Sequence, residues 1–349
     1  MVVPRGHRVG QDVQRLSGYP FAPWFLDHLR QVRHFALMTH VGPDADGLGS
    51  QLAFARSAQL AGRHVRIVNE DPCPPRYAWI DPQRLIGDFD GAAGELQHAE
   101  LGLVFDAHEI DRAARPARKM RELGKPVWVV DHHPPAPTAE VTGCIAAEFS
   151  SSGELVYQLL RALDWPIDAT VAAPLYAAMS FDTGSFRYLR NNPDTLRVAA
   201  DLVQTGVDTN PINEALFSSK PRAEVELLGR VITATHFADH GRIAWTVVGP
   251  ELTDGLELAN DAVGETISTL IAIEGVLVAL QIKPGRQPGE WKMSLRSKAA
   301  VKIGHIARDI GGGGHDHAAG ATLDGNPHEW ARKFLQQIEA AIRSQVGSR

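Results

Sequence analysis

Acidic and histidine residues gather in four short stretches of this 349-residue sequence: His40-Val-Gly-Pro-Asp44-Ala-Asp46-Gly-Leu-Gly49-Ser50, Asp106-Ala-His108-Glu109, Asp131-His132-His133 and Asp182-Thr183-Gly184-Ser185. Carboxylates brought together repel one another unless cations neutralise them. Carboxylate mixed with imidazole suits Mn²⁺, Fe²⁺, Co²⁺ or Zn²⁺, and a thiolate-free, carboxylate-rich set leans to Mn²⁺ or Mg²⁺ over a structural zinc. Two cations sharing one aspartate would stabilise both the attacking and the leaving oxygen of an in-line displacement at phosphorus. Taken singly, each residue has a plainer explanation. An aspartate after a strand is commonly a helix cap, a histidine at a strand end is commonly structural or exposed, and an Asp-His-His tripeptide recurs by chance. Position sets these apart, because each stretch follows an apolar segment. Spacing alone leaves open which histidine binds metal.

The elements that must position them are legible as hydrophobic pattern. His34–Thr39, His64–Asn69, Leu101–Phe105 and residues 126–130 read as buried strands, with helical periodicity at 47–61 and 111–123 between them. Helices follow at Ser152–Leu163 and at 169–179, 193–205 and 211–217. Strands alternating with helices imply an α/β fold, a mostly parallel sheet with helices on both faces. In such sheets ligands sit beyond the carboxyl ends of the strands, where segments distant in sequence meet. Past residue 220 the character changes. Arg222–Thr233 reads as a helical connection, 275–282 and 291–297 as an antiparallel hairpin, 302–310 as a helix stopped by glycine, 317–323 as a strand and 327–344 as a closing helix. The expected organisation is an N-terminal arm 1–23, a catalytic domain 24–220, a helical linker 221–235 and a smaller α+β domain 236–349.

A formal net charge of −6, with 44% hydrophobic and 22% charged residues, is that of a folded globular chain. It argues against a protein that tracks long nucleic acid, which usually shows a basic face. Cys73 and Cys144 form no CxxC pair, which suits a reducing compartment. The first twenty residues hold no apolar h-region and no stretch reaches eighteen apolar residues, so a cytoplasmic protein without a membrane span is expected.

These motifs, in this order, resemble the DHH phosphoesterase family with its C-terminal DHH-associated domain. The second domain contributes Ser294-Leu-Arg296-Ser-Lys298 and Gly311-Gly-Gly-Gly-His315-Asp-His-Ala-Ala-Gly320 to the likeness. Within the family the chain looks most like the nanoRNase and phosphoadenosine-phosphate phosphatase group, which includes cyclic-dinucleotide phosphodiesterases. The resemblance implies two divalent cations, Mn²⁺ first, with Mg²⁺ or Co²⁺ as alternatives. His40 and Asp44 would bind one, Asp46, His132 and Asp182 the other, and Asp106 would bridge them. Asp131 would orient an imidazole, and His133 would touch the scissile phosphate. His108 and Glu109 stand as an extra ligand or proton carrier, or simply as surface residues opening a helix.

Residues 311–314 form no Walker loop, since no Lys-Ser or Lys-Thr follows. One glycine would stop the helix, so Gly312, Gly313 and Gly314 beside His315 suit close backbone approach to a ligand phosphate. Arg296 at a strand end suits a bidentate phosphate clamp. The expected activity is hydrolysis of short oligoribonucleotides, linear or cyclic dinucleotides such as pApA and cyclic di-AMP, or 3′-phosphoadenosine 5′-phosphate (pAp), by a metal-activated water. No long nucleic acid and no membrane partner are expected, and a homodimer is compatible with the resemblance. The rivals are a RecJ-like single-strand exonuclease, disfavoured by the lack of a further binding barrel and of basic charge, and a non-catalytic nucleotide sensor, disfavoured by a complete ligand set.

Overall fold

The apolar runs fold as read. In a computed structural model, which describes residues 20–134, 142–189, 192–259, 262–285, 287, 289–298 and 300–347, the chain forms two compact units, Met1–Ser219 and Lys220–Arg349. Most of the N-terminal arm, residues 1–19, lies outside the described residues.

The first unit is built on a six-stranded, all-parallel sheet of β1 (His34–Thr39), β2 (His64–Asn69), β3 (Ile86–Asp88), β4 (Leu101–Phe105), β5 (Val127–Asp131) and β6 (Gly143–Ile145), in the order β3-β2-β1-β4-β5-β6. All five residues of β4 and of β5 are buried, because helices cover both faces and leave no solvated side to alternate with. One face carries Phe35, Leu37, Leu103, Phe105 and Trp128 into the main core. The other carries Ala36, Met38, Val104 and Val129 into a second, smaller one.

Helix Ala45–Leu60 is buried on nearly every side, packed between the sheet and helix Ala169–Asp182. Small residues allow this. A Cβ on Gly47 would collide with the Thr39 hydroxyl, and one on Gly49 with the Pro174 carbonyl. Pro174 lies inside its helix and has no N–H to give the Thr170 carbonyl one turn back. Arg56 Nη1 donates to that oxygen instead, at 2.7 Å.

The second unit is a mixed sheet of β7 (His236–Ala238), β8 (Ile243–Val247), β9 (Val278–Pro284), β10 (Glu290–Ser297), β11 (Gly313–His315) and β12 (Ala318–Asp324), ordered β11-β12-β10-β9-β8-β7. The expected antiparallel hairpin is β9–β10; β8 pairs with β9 in parallel. Val278, Leu280 and Ile282 face helix Pro327–Val346 through Phe334, Ile338 and Ile342. Ala279 faces the opposite core, to which helix Arg222–Thr233 contributes Leu227 and Val231. That helix, expected as a connection, thus packs within the second unit. No helix among the described residues is long and apolar enough to cross a membrane.

Candidate metal centre

The chain builds β1, β2 and β3 outward in one direction and then β4, β5 and β6 in the other, so the order reverses between β1 and β4. A crevice opens at such a point beyond the strand ends. The register levels the tips, with Thr39 opposite Phe105 and Phe105 opposite Val130. His40, Asp106 and Asp131 therefore leave three neighbouring strands in one row, about 4.8 Å apart. Asp182, the last residue of helix Ala169–Asp182, joins them.

Two groups of donors result. His40 Nε2 lies 3.5 Å from Asp106 Oδ2 and 3.9 Å from Asp44 Oδ2. His132 Nε2 lies 3.4 Å from Asp182 Oδ2, 3.7 Å from Asp46 Oδ2 and 3.7 Å from Asp106 Oδ1. The two oxygens of Asp106 thus face different groups. Asp106 has a left-handed backbone, φ 58°, a conformation that costs a non-glycine residue about 1 kcal/mol or more. Its N–H donation to Val130 O at 3.1 Å anchors it there.

The donor set fits cations on the evidence of its own hydrogen bonds. His40 Nδ1 lies 3.1 Å from Val41 O and His132 Nδ1 lies 3.3 Å from Phe149 O. A carbonyl only accepts, so in each ring Nδ1 carries a hydrogen and Nε2 is turned toward the carboxylates. There Nε2 must either carry a proton or coordinate a cation, because a bare acceptor against anions is repulsive. Within the sets His40–Asp44–Asp106 and Asp46–His132–Asp182 the imidazole-to-carboxylate separations of 3.4 to 3.9 Å lie inside the roughly 4.4 Å that two ligands about 2.2 Å from one ion can span.

Titration behaviour says the same. Burial pushes Asp46 well above the usual carboxylate range, with the charges of Asp106, Asp182 and Asp44 adding to it. Burial likewise raises Asp106 to about 6, against the opposing hydrogen bond from His40. Burial would lower His40, but the Asp106 and Asp44 carboxylates outweigh it and hold the imidazole up to about 10. Protons on these groups supply the charge that divalent cations would replace.

Other groups hold these donors in place. Asp44 caps helix Ala45–Leu60 through Oδ1, which accepts from the N–H of Asp46 at 3.0 Å and of Gly47 at 3.2 Å. Its other oxygen faces His40, so capping and ligation do not compete. Asp46 accepts from the N–H of Ser152 at 2.8 Å and of Gly153 at 2.9 Å, at the positive end of helix Ser152–Leu163. Ser152 Oγ donates to Asp106 Oδ1 at 3.1 Å. In the same helix the buried Glu154 accepts from Ser150 Oγ at 2.6 Å, Thr195 Oγ1 at 2.9 Å and Asn192 Nδ2 at 3.1 Å, which fixes the segment that leads into Ser152. Sequence reasoning missed Ser152. Its only signal was the run Ser150-Ser151-Ser152 ahead of a helix, and Ser151 is indeed the ordinary cap, accepting from Glu154 N–H at 3.0 Å.

Asp131 Oδ1 lies 2.9 Å from His133 Nδ1. Burial would lower the His133 imidazole, but the Asp131 hydrogen bond and charge raise it above its ordinary value. The His133 side chain keeps about a quarter of its surface open to solvent while that of Asp131 has none. His108 Nδ1 stands 3.9 Å from Asp131 Oδ2, on the far side of the same carboxylate; Glu109 is exposed.

A profile of the DHH family, N-terminal domain, matches residues 34–179, and a profile of the DHHA1 domain matches residues 243–344. The chain belongs to the DHH family. Two bifunctional oligoribonuclease and PAP phosphatases, each named NrnA, are relatives. That of Thermus thermophilus is 29% identical, over 89% of this chain and 89% of its own. That of Bacillus subtilis is 24% identical, over 88% and 94%. An exopolyphosphatase-related protein from Bacteroides fragilis shares the fold with a TM-score of 0.83 at 21% identity, covering 91% of this chain and 96% of that one. The DHH match ends three residues before Asp182, whose place in the cluster comes from the structure.

In the DHHA1 region the expected phosphate-binding residues have mixed surroundings. Arg296, on β10, is largely buried, which lowers its pKa. Its Nη1 donates to Leu295 O at 3.0 Å, and no carboxylate pairs with it among the described residues. Lys298 is exposed and reaches Ile273 O at 3.1 Å. The fold itself calls for three of the four glycines. Gly311 and Gly314 sit at φ 79° and 120°, and a Cβ on Gly312 or Gly314 would collide with β12 at the Gly320 or Ala318 carbonyl. Gly313 alone of the four has both open space where a side chain would stand and no positive φ, since Gly311 has the space but sits at φ 79°. The side chain of His315 lies outside the described residues.

Proposed function

We propose that this DHH protein is a metal-dependent phosphoesterase that hydrolyses short nucleotide substrates, oligoribonucleotides of a few residues, linear or cyclic dinucleotides and pAp, to mononucleotides. The observation that carries the reading is Asp106, whose two oxygens face two separate histidine–carboxylate groups 3.5 and 3.7 Å away. The names of the relatives above, oligoribonuclease and PAP phosphatase, support the substrate class.

His40 and Asp44 would hold one cation and Asp46, His132 and Asp182 the other, with Asp106 shared between the two sets. Hard carboxylates with imidazole and no thiolate favour Mn²⁺. Bound there, such cations would supply Lewis acidity, activating water and withdrawing charge from phosphate oxygens. The chain's own groups do the rest. Ser152 and the helix N-terminus at Ser152–Gly153 orient Asp106 and Asp46. Asp131 keeps a proton on His133, which faces outward and donates to the departing oxygen. Arg296 and the Gly313 backbone bind substrate phosphate.

The test is product analysis with Mn²⁺ against pAp, pApA, cyclic di-AMP, RNA of about two to twenty nucleotides and pyrophosphate. Mononucleotide release that fades with chain length supports the reading. Processive digestion of the longest RNA, or tight nucleotide binding without turnover of anything, refutes it.

A further inference from the structure

The turn after Asp182 runs through three consecutive left-handed residues, Gly184, Ser185 and Phe186, at φ 58°, 61° and 61°. That conformation is unfavourable for serine and for phenylalanine, and several bonds hold it. Thr183 Oγ1 donates to Met179 O at 2.6 Å and accepts from Phe186 N–H at 2.9 Å. Ser185 N–H donates to Ser180 O at 2.7 Å and Tyr188 N–H to Thr183 O at 3.0 Å. Phe186 tucks its ring against Tyr176, with centroids 5.5 Å apart.

The product of this turn is the placement of Tyr188. Its ring lies over Gly184, with ring carbons 3.2 and 3.3 Å from where a Cβ would stand, so any side chain at 184 would lift it. Gly184 is two residues beyond Asp182. The ring is 70% exposed, more than any other large apolar side chain among the described residues, and it belongs to no core cluster. Arg187 donates through Nε to Gly184 O and sets its guanidinium carbon 6.0 Å from the Tyr188 ring centroid. A strained, multiply anchored turn thus holds a wet aromatic face and a cation beside a phosphoester site.

We propose that the exposed face of Tyr188 is the platform on which a nucleobase of the substrate stacks, which makes Tyr188 a specificity-determining residue for nucleotides over base-free phosphate esters. This rests on the nucleotide phosphoesterase reading of the adjacent site. Stacking tolerates any base, since each has a π-face, so the platform selects a base without selecting which one.

Calorimetric titration of the full-length, Mn²⁺-loaded protein with AMP and with ribose 5-phosphate tests it. Tyr188→Ala should weaken AMP binding about tenfold and leave ribose 5-phosphate binding unchanged, while Tyr188→Phe behaves as wild type. Equal weakening of both ligands, or AMP binding indifferent to Tyr188→Ala, overturns the platform. Hydrolysis of pApA by the wild-type protein separates the two claims. Turnover with AMP binding indifferent to Tyr188 removes the platform alone. Tyr188-dependent AMP binding without turnover keeps the platform and removes the enzyme.

Discussion

The row of acids and histidines at the β1–β4 crevice and the glycine run ahead of β12 are equally conspicuous in the sequence, yet they have different causes. In the first, residues that would cost stability by burial are gathered and held by caps, helix ends and a serine. Asp46 is almost wholly buried, among three other carboxylates that raise its pKa. A fold tolerates that arrangement only if something compensates the charge. In the second, Gly311, Gly312 and Gly314 follow from backbone angles and the proximity of β12. Conspicuous charge in a buried place points to chemistry; conspicuous glycine must first be tested against the backbone.

The sharpest way to break this contrast is Asp106→Ala. With the shared carboxylate gone, kcat/KM for pApA should fall by about 10³-fold or more, and activity near wild type would sink the assignment. Ser152→Ala should act next, lowering Mn²⁺ affinity by about ten- to a hundredfold, read by metal titration with the melting transition as a control for folding. An unchanged affinity would make Ser152 a mere helix residue. On the glycine side, Gly312→Ala should cost about 1–3 kcal/mol of stability in denaturant melts, whereas Gly313→Ala stays within about 0.5 kcal/mol and raises KM instead. Equal stability costs would erase the distinction between them. The smallest effect is on pH. Asp131 raises the His133 pKa, so Asp131→Asn should let that proton leave at lower pH and move the alkaline limb of the kcat profile downward; a limb that stays put would take His133 out of proton transfer.

Much of this was legible from pattern. β1, β4 and β5 are apolar because they are central in a parallel sheet, and their ends carry His40, Asp106 and Asp131. The edge strands β3 and β6 have three residues each, too few for any period to show. The stretch 111–123 reads as one helix but is a short 3₁₀ turn, Ile110–Ala113, followed by helix Ala114–Glu122, broken where Ala114 takes φ 47°. The clustered histidines and aspartates stand out by type, position and resemblance. Ser152 does not, because a serine at the start of a helix matches ordinary capping, and only its bond to Asp106 reveals the second role. The left-handed backbone of Asp106, like the turn under Tyr188, leaves no trace in residue type.

The central claim is that one carboxylate, Asp106, joins two cation sites. Titrating Mn²⁺ into the purified protein while recording its electron paramagnetic resonance spectrum tests this directly. The account predicts two Mn²⁺ per chain with the broadened signal of a coupled pair, and a loss of that coupling in Asp106→Ala. A single equivalent with an isolated-ion spectrum, or coupling that survives the substitution, would contradict it.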